Sequence, residues 1–148
     1  MLSTTAQYAL RALALLAREP RGAATLGRDL ARAGDIPENY LSKLLWQLKN
    51  AGLITATRGS RGGYKLAKAA GQIRLIDIVE VFDALGVRPS CLMGQGECNE
   101  QHACSAHDAW KKVRDVYVDF LQSNTLADIS GRSSPVVRAA ALGEEASS

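Results

Sequence analysis

The chain has 148 residues, of which 47% are hydrophobic and 22% are charged, a composition ordinary for a globular protein that can bury a core. Its longest apolar run, residues 12–17, is too short for a membrane span, which needs about 20 apolar residues. The N-terminus has no basic segment of the kind that opens a secretory signal, so we expect a cytoplasmic protein.

The formal net charge of +3 is unevenly distributed along the chain. Residues 1–80 contain twelve Lys and Arg and six acidic residues, whereas residues 81–148 contain six Lys and Arg and nine acidic residues. This asymmetry favours contact between the first half and a polyanion, although chance clustering of solvated charges would give the same totals.

Three helices are predicted before any strand. Apolar residues at three- and four-residue spacing indicate an amphipathic helix from Ser3 to Arg18. A second, short helix is predicted from about Thr25 to Ala33, and Gly34 is expected to close it. Pro37 is suited to the first position of a third helix, which is predicted to continue to about Asn50.

A β-hairpin is predicted next, because two short segments of strand character flank a Gly-rich, basic tip. The strands are Leu53–Arg58 and Gly63–Leu66, and the tip is Gly59-Ser60-Arg61-Gly62. A hairpin directly after three helices is the arrangement of a wing, so we expect a winged helix-turn-helix.

The second half is predicted to contain two further helices separated by a cysteine-containing loop. The helices are expected at Leu75–Leu85 and from about Ala106 to Gln122, and the loop runs from Pro89 to about Cys104. From Gly131 the chain is rich in Ser, Ala and Gly, and we expect it to fray. The expected fold is therefore mostly α-helical with a small β-hairpin wing and a long C-terminal helix.

One arc of the third helix is apolar and is expected to pack against the first two helices. Its members are Leu41, Leu44, Leu45 and Leu48. The opposite arc combines hydrogen-bond donors, acceptors and an aromatic body: Asn39, Tyr40, Ser42, Lys43, Trp46, Gln47 and Lys49. These groups suit base edges and phosphates in a major groove, and a merely solvated face would more often alternate Glu and Lys. We interpret this helix as a DNA recognition helix.

Arg58 and Arg61 lie on or beside the hairpin tip, whose glycines let the backbone approach a ligand closely. Arginine at such a tip suits a narrow minor groove, where the negative potential is enhanced. The alternative is an ordinary hairpin with solubilising arginines, which the preceding recognition helix disfavours. The full set of candidate DNA contacts is Thr25, Asn39, Tyr40, Ser42, Lys43, Gln47, Arg58, Ser60 and Arg61.

Cys91, Cys98 and Cys104 are crowded into one segment and, being three, cannot all pair within the chain. Structural zinc sites use closer pairs of ligands, whereas soft thiolates on a loop suit an iron–sulfur cluster with four protein ligands. His107 lies three residues beyond Cys104 and is the nearest candidate for the fourth ligand, and His102 is the substitute. The alternative is that the thiols bind no metal and act as redox sensors.

The last helix carries an apolar stripe at three- and four-residue spacing, made of Ala109, Trp110, Val113, Val116, Tyr117, Phe120 and Leu121. A short DNA-binding region leaves little surface of the same chain to cover this stripe, and dimeric DNA-binding proteins use two half-sites about one helical turn apart. We therefore predict a homodimer through this helix, the alternative being packing within one chain.

Enzymes are the main competing class. The sequence shows no Gly-rich phosphate loop, no nucleophile elbow and no paired-carboxylate site, and both histidines lie beside the cysteines. A basic helix face followed by a wing has no use in an enzyme of small molecules. We predict a DNA-binding protein with duplex DNA as its partner and without a membrane or a small-molecule substrate.

The run from Tyr40 to Tyr64 resembles the winged helix-turn-helix regulators of the IscR/NsrR family, and the opening Gln7-Tyr8-Ala9-Leu10-Arg11 is similar to their first helix. The matching residues of that run are Tyr40-Leu41, Leu44, Leu48, Asn50-Ala51-Gly52-Leu53, Arg58-Gly59 and Gly62-Gly63-Tyr64. The resemblance covers about residues 1–130, including a cysteine segment followed by a helix. It implies a dimer that usually represses transcription, often under the control of an iron–sulfur cluster.

The resemblance also implies functional residues. Recognition-helix contacts would be Asn39, Tyr40, Ser42 and Lys43, and Arg58 would contact DNA from the wing. Arg61 is a departure, because family members often have only Gly or Pro at that point of the tip.

For the cluster, IscR-like members place a histidine ligand at the position of His107. NsrR-like members recruit an aspartate from the partner's first helix, where this chain has Gln7, a poor ligand. The interval from Cys91 to Cys98 is one residue longer than in either pattern, and both the 2Fe-2S and the 4Fe-4S form remain open.

Three regions are therefore expected: a DNA-binding region at residues 1–74, a sensor loop with a dimerisation helix at residues 75–130, and a disordered tail at residues 131–148.

Overall fold

The computed structural model describes residues 2–20, 22–60, 62–85 and 105–131. The described elements are α1 (Thr4–Arg18), α2 (Gly27–Gly34), α3 (Glu38–Asn50), β1 (Ile54–Thr57), β2 (Gly63–Leu66), a 3-10 helix (Ala70–Gln72), α4 (Leu75–Val79), α5 (His107–Ser123) and α6 (Leu126–Ile129). The predicted fold class, mostly α-helical with a β-hairpin wing, is confirmed. The three cysteines, His102, Arg61 and residues 132–148 of the predicted tail lie outside the described residues.

Helix α1 is the central element of the core. Ser3 caps its N-terminus, because the Ser3 hydroxyl oxygen accepts a hydrogen bond from the N–H of Ala6 at 3.1 Å. The buried face consists of Ala6, Ala9, Ala12, Leu13 and Leu16. The three alanines on this face have short side chains, so neighbouring helices can approach α1 closely. The predicted first helix is thus confirmed, with Ser3 as its cap.

Helix α2 begins at Gly27, so the predicted start at Thr25 is wrong. The N–H of Thr25 donates to the carbonyl of Tyr64 at 2.9 Å, and the N–H of Tyr64 donates to the carbonyl of Thr25 at 2.8 Å. This pairing with β2 holds Thr25 in an extended conformation that a helix cannot contain. The helix also includes Gly34, and the following residue, Asp35, adopts the left-handed conformation with φ 52°.

Strands β1 and β2 pair antiparallel, with Ile54 opposite Leu66 and Thr57 opposite Gly63. Strand β1 is shorter than predicted, and β2 has the predicted bounds. Gly63 has φ 136°, and a Cβ there would lie 2.3 Å from the carbonyl oxygen of Thr25. Glycine is therefore required where the wing meets the strand-like segment before α2.

Helix α4 ends at Val79, so the predicted helix to Leu85 is wrong in its second half. The N–H groups of Val81 and Phe82 bond to carbonyls three residues earlier, which tightens the chain into turns. The apolar periodicity continues through these turns, and this misled the sequence-based assignment.

The long helix α5 is confirmed, and after it a short helix, α6, returns to α1. The N–H of Leu126 donates to the carbonyl of Ile73 at 2.8 Å, and the N–H of Leu75 donates to the carbonyl of Asn124 at 2.9 Å. Leu126 is fully buried in the core that α1, α2, α3 and the wing share. A second buried cluster joins α1, α4 and α5 around Leu75, Val79 and Leu121. In the described part of the chain, no helix is long and apolar enough to cross a membrane.

Candidate nucleic-acid interface

Helix α3 presents one buried face and one exposed face, as its pattern predicted. Leu41, Leu44, Leu45 and Leu48 each have an exposed fraction of 1% or less. The opposite face is exposed along its length and consists of Asn39, Tyr40, Ser42, Lys43, Trp46, Gln47, Lys49 and Asn50. The acidic residue of α3 is Glu38, which lies in the first turn, where a carboxylate stabilises the helix dipole.

Two polar candidates on α3 form hydrogen bonds within the helix. The Ser42 hydroxyl donates to the carbonyl oxygen of Glu38 at 3.1 Å, and Oδ1 of Asn39 accepts from the N–H of Tyr40 at 3.0 Å. Ser42 still has lone pairs to accept a hydrogen bond, and Asn39 still has its NH₂ group to donate one. These bonds orient the two side chains without using up their capacity for a base edge or a phosphate.

Tyr40 is tied to helix α1. Its hydroxyl is hydrogen-bonded to the hydroxyl of Thr5, and its ring meets the ring of Tyr8 edge to face, with centroids 5.5 Å apart. The Arg11 guanidinium lies 5.4 Å from the centroid of Tyr8, and its Nη1 donates to the carbonyl oxygen of Gly34 at 2.7 Å. The contacts of Tyr40 fix the first turn of α3 against α1, and the bond of Arg11 fixes α1 against the end of α2. The sequence interpretation missed both.

The wing tip is a tight turn. The N–H of Gly62 donates to the carbonyl oxygen of Gly59 at 2.9 Å, and a Cβ at Gly62 would lie 2.2 Å from the carbonyl oxygen of Thr57. Arg58 and Ser60 are exposed at this tip. Two of the three predicted wing contacts are thus accessible to a ligand, and the third, Arg61, lies outside the described residues.

Thr25 belongs structurally to the wing, because its backbone pairs with β2. Thr25 and Ser60 line one open surface groove, together with Asp29 in the first turn of α2. A second groove of about 530 Å³ lies along the exposed face of α3 and is lined by Thr5, Tyr40, Ser42, Lys43, Leu44, Trp46 and Gln47. The predicted contacts are therefore grouped in two places, at the wing and on α3.

The candidate metal ligands can be located in part. His107 is the first residue of α5 and is buried, with an exposed fraction of 8%. Within residues 2–20, 22–60, 62–85 and 105–131, no three His, Cys, Asp or Glu side chains are grouped as metal ligands. Three thiolates followed by an imidazole at the adjoining helix start form a donor set of the type that iron–sulfur clusters accept.

The apolar stripe of α5 is partly buried and partly exposed. Leu121 is buried in the second core cluster, whereas Val113, Val116 and Phe120 are 51%, 70% and 53% exposed. Three large apolar side chains on one helix are therefore left uncovered by the described part of the chain.

Helix α5 also carries two buried polar atoms that have no hydrogen-bond partner, Nη1 of Arg114 and the hydroxyl of Tyr117, when the described residues are considered. Burial raises the pKa of Tyr117 above 10.0, and the negative charge of Asp83 raises it further. Tyr117 is therefore neutral at physiological pH and electrostatically linked to the turn after α4.

Three helices, a paired wing and an exposed face with lysines on α3 define a winged helix-turn-helix DNA-binding protein. The chain belongs to the Rrf2 family, described as iron-dependent transcriptional regulators, whose sequence profile matches residues 2–132. This membership confirms the suspected family and the prediction that the chain is a transcription regulator and not an enzyme.

Relatives agree with this assignment over most of the chain. A protein of Aquifex aeolicus (strain VF5) assigned as an HTH-type transcriptional regulator is 31% identical over 131 residues, which is 87% of this chain and 90% of the relative. The structure of CymR (YrzC), the global cysteine regulator of B. subtilis, is similar with a TM-score of 0.74 and 29% identity, covering 88% of this chain and 95% of CymR. The structure of T. potens IscR has a TM-score of 0.69 and 27% identity, covering 86% of this chain and 84% of IscR.

Proposed function

We propose that the chain is a homodimeric repressor that inserts α3 into the major groove of an operator and contacts the flanking minor groove with its wing. The observation that carries the proposal is the exposed face of α3, which is rich in polar groups and includes Lys43 and Lys49. The described residues of this face include two lysines and no acidic side chain, so the phosphates of DNA would supply the negative charges that the lysines lack. Residues 1–74 form the DNA-binding region of this proposal, and residues 75–130 form the sensor and dimerisation region.

The proposed docking face is tested by measuring duplex affinity over a range of salt concentrations. Replacing Lys43 or Arg58 with Ala deletes one charged group from the face, so the log–log salt slope falls by about one unit for each phosphate that is no longer neutralised. Lys111→Ala is the matched control, because Lys111 is an exposed lysine on α5. Equal affinities and equal slopes for Lys43→Ala, Arg58→Ala and the wild type would refute the docking face.

Dimerisation through α5 is the second part of the proposal. Val113, Val116 and Phe120 form the uncovered part of the apolar stripe, and a second copy of α5 would remove this surface from water. Two copies of α3 would then be available for the two half-sites of an operator.

The third part is a sensor in which Cys91, Cys98, Cys104 and His107 hold one iron–sulfur cluster per chain. The description of the family as iron-dependent and the buried position of His107 at the start of α5 support this ligand set. The cluster would supply a redox-active group whose presence or oxidation state signals to the regulator. In the sequence, the three cysteines lie between the turns after α4 and the dimerisation helix, so a cluster held by them and by His107 would be placed to alter the position of that helix and the spacing of the two wings.

Anaerobic purification with iron and sulfide analysis and a visible spectrum tests the sensor. Each Cys→Ala variant is expected to abolish the visible absorption, and His107→Ala to make the cluster more labile or shift its spectrum. A normal spectrum in His107→Ala would transfer the fourth-ligand role to His102 or to the partner's first helix. A colourless, iron-free protein after reconstitution would leave thiol redox chemistry as the sensing mechanism.

A further inference from the structure

Trp46 is exposed at the centre of the polar face of α3. Its exposed fraction is 65%, although it lies well inside the helix and each of the four leucines of α3 is almost completely buried. Trp46 follows Lys43 by three residues and precedes Asn50 by four, so these side chains form one stripe along the helix. The described residues of the chain do not account for a large aromatic side chain in this position.

The charges around Trp46 indicate the chemistry of its partner. Lys43 and Lys49 stand three residues before and three residues after it, and both are exposed. Glu38 is eight residues away, which corresponds to about 12 Å along a helix. An apolar protein surface that covered Trp46 would desolvate both lysines without compensating them, whereas the phosphates of a duplex would compensate both.

Within a major groove, an indole finds one type of apolar contact on the bases. The edges of guanine, adenine and cytosine present hydrogen-bonding groups there, and thymine alone presents a methyl group. We infer that Trp46 determines part of the sequence specificity by packing against the 5-methyl group of a thymine in each half-site. The inference rests on the proposed docking of α3 in the major groove and adds to it a named base and a named contact.

The neighbouring side chains fit this role. Trp46 shares the groove on α3 with Lys43 and Gln47. Lysine and glutamine can bond the polar edges of adjacent bases, while the indole excludes water from the methyl group. Trp46 is thus the apolar member of a base-contacting set whose other members are polar.

The experiment uses duplexes selected from a random pool by the full-length wild-type protein. Each thymine of the selected site is replaced in turn by uracil, which forms the same base pair but lacks the 5-methyl group. At one position per half-site, uracil is expected to weaken wild-type binding about fourfold, the factor that corresponds to about 0.8 kcal/mol for burying one methyl-sized group. Trp46→Ala is expected to bind the thymine and uracil duplexes equally at that position.

Lys43→Ala is the control, because removal of a charged group weakens binding to both duplexes by the same factor and leaves the fourfold ratio unchanged. Trp46→Phe, which keeps an aromatic body at the exposed site, is expected to retain part of the ratio. Thermal unfolding of each variant verifies that the fold is intact.

The inference is overturned if no thymine in the selected site is sensitive to loss of its methyl group, or if Trp46→Ala keeps the wild-type ratio at every thymine. If Trp46→Ala weakens binding to the thymine and uracil duplexes by the same factor, the fourfold ratio is unchanged. Trp46 would then contact a sugar or the backbone instead of the methyl group, which also overturns the inference. Wild-type affinity in both Lys43→Ala and Arg58→Ala would instead show that the proposed docking face is wrong.

Discussion

The backbone N–H of Ser3 donates a hydrogen bond to Oδ2 of Asp83, and the two atoms are 3.0 Å apart. Ser3 is also the N-cap of α1, and two residues further on the Thr5 hydroxyl is bonded to the hydroxyl of Tyr40. The first turn of α1 therefore contacts the turns that precede the cysteine segment on one side and the first turn of α3 on the other. We predict that a displacement of those turns alters the position of α3 through these contacts.

Replacing Asp83 with Asn tests the sensor side of this path. The substitution keeps an acceptor oxygen for Ser3 but removes the charge, so we expect a loss of stability of about 1 kcal/mol, because a partly exposed, charge-assisted hydrogen bond becomes a neutral one. The pKa of Tyr117 should fall towards 10.0, because the charge of Asp83 helps to raise it. Tyrosinate absorbance during an alkaline titration reports this change, with Tyr117→Phe identifying the signal.

The sign of the associated stability change follows from linkage. Tyr117 holds its proton more tightly in the folded chain than in the unfolded one, so its contribution to the free energy of unfolding is complete below pH 10.0 and is lost as the pH rises through the raised folded-state pKa. Asp83→Asn should reduce this alkaline loss. An unchanged titration of Tyr117 in Asp83→Asn would contradict the electrostatic link between the two residues.

Tyr40→Phe and Thr5→Val test the recognition side. If Tyr40 acts by holding α3 against α1, each substitution lowers operator affinity by about 1 kcal/mol by removing the same hydrogen bond, and the double variant binds no more weakly than either single one. A double-mutant cycle of DNA binding measures this coupling. Additive effects, or weaker binding in Tyr40→Phe alone, would mean that the Tyr40 hydroxyl contacts DNA directly.

Gly63→Ala is expected to disrupt the junction between the wing and Thr25. The new Cβ would lie 2.3 Å from the carbonyl oxygen of Thr25, and φ 136° is strained for alanine, so the cost exceeds the roughly 1–2 kcal/mol of a left-handed residue. Gly71→Ala is the control, because nothing lies within 4 Å of a Cβ there. Gly63→Ala should lower both the melting temperature and the operator affinity, and Gly71→Ala should lower neither. Equal values for the two variants would disprove the requirement for glycine.

Phe120→Asp is expected to dissociate the proposed dimer. A carboxylate buried between two copies of α5 without a partner costs several kcal/mol, whereas the same side chain is harmless on an exposed monomer surface. Sedimentation of Phe120→Asp should therefore show a folded monomer with weak operator binding. Lys111→Asp places the same charge on the same helix away from the stripe and should remain dimeric; a dimeric Phe120→Asp would move the interface elsewhere.

Sequence patterns were sufficient for the elements whose residue spacing is regular along the chain. Helices α1, α3 and α5 and strand β2 were predicted within a residue or two, because each repeats its apolar positions at the spacing of its own geometry. The start of α2 could not be predicted, because the extended conformation of Thr25 results from pairing with Tyr64, which is remote in sequence. Helix α6 is too short for a periodic signal and depends on its bond to Ile73.

The sequence by itself determined which side chains are available for DNA on α3, because alternating leucines and polar residues permit one orientation of that helix. Only the tertiary structure decided which of them are held and how. It tied Tyr40 to Thr5 and to Tyr8, and it buried Leu121 while leaving Phe120 uncovered. The physical reason is that the spacing of apolar residues in the sequence shows which face of a helix is apolar. Burial and hydrogen bonding depend in addition on which distant element lies against that face.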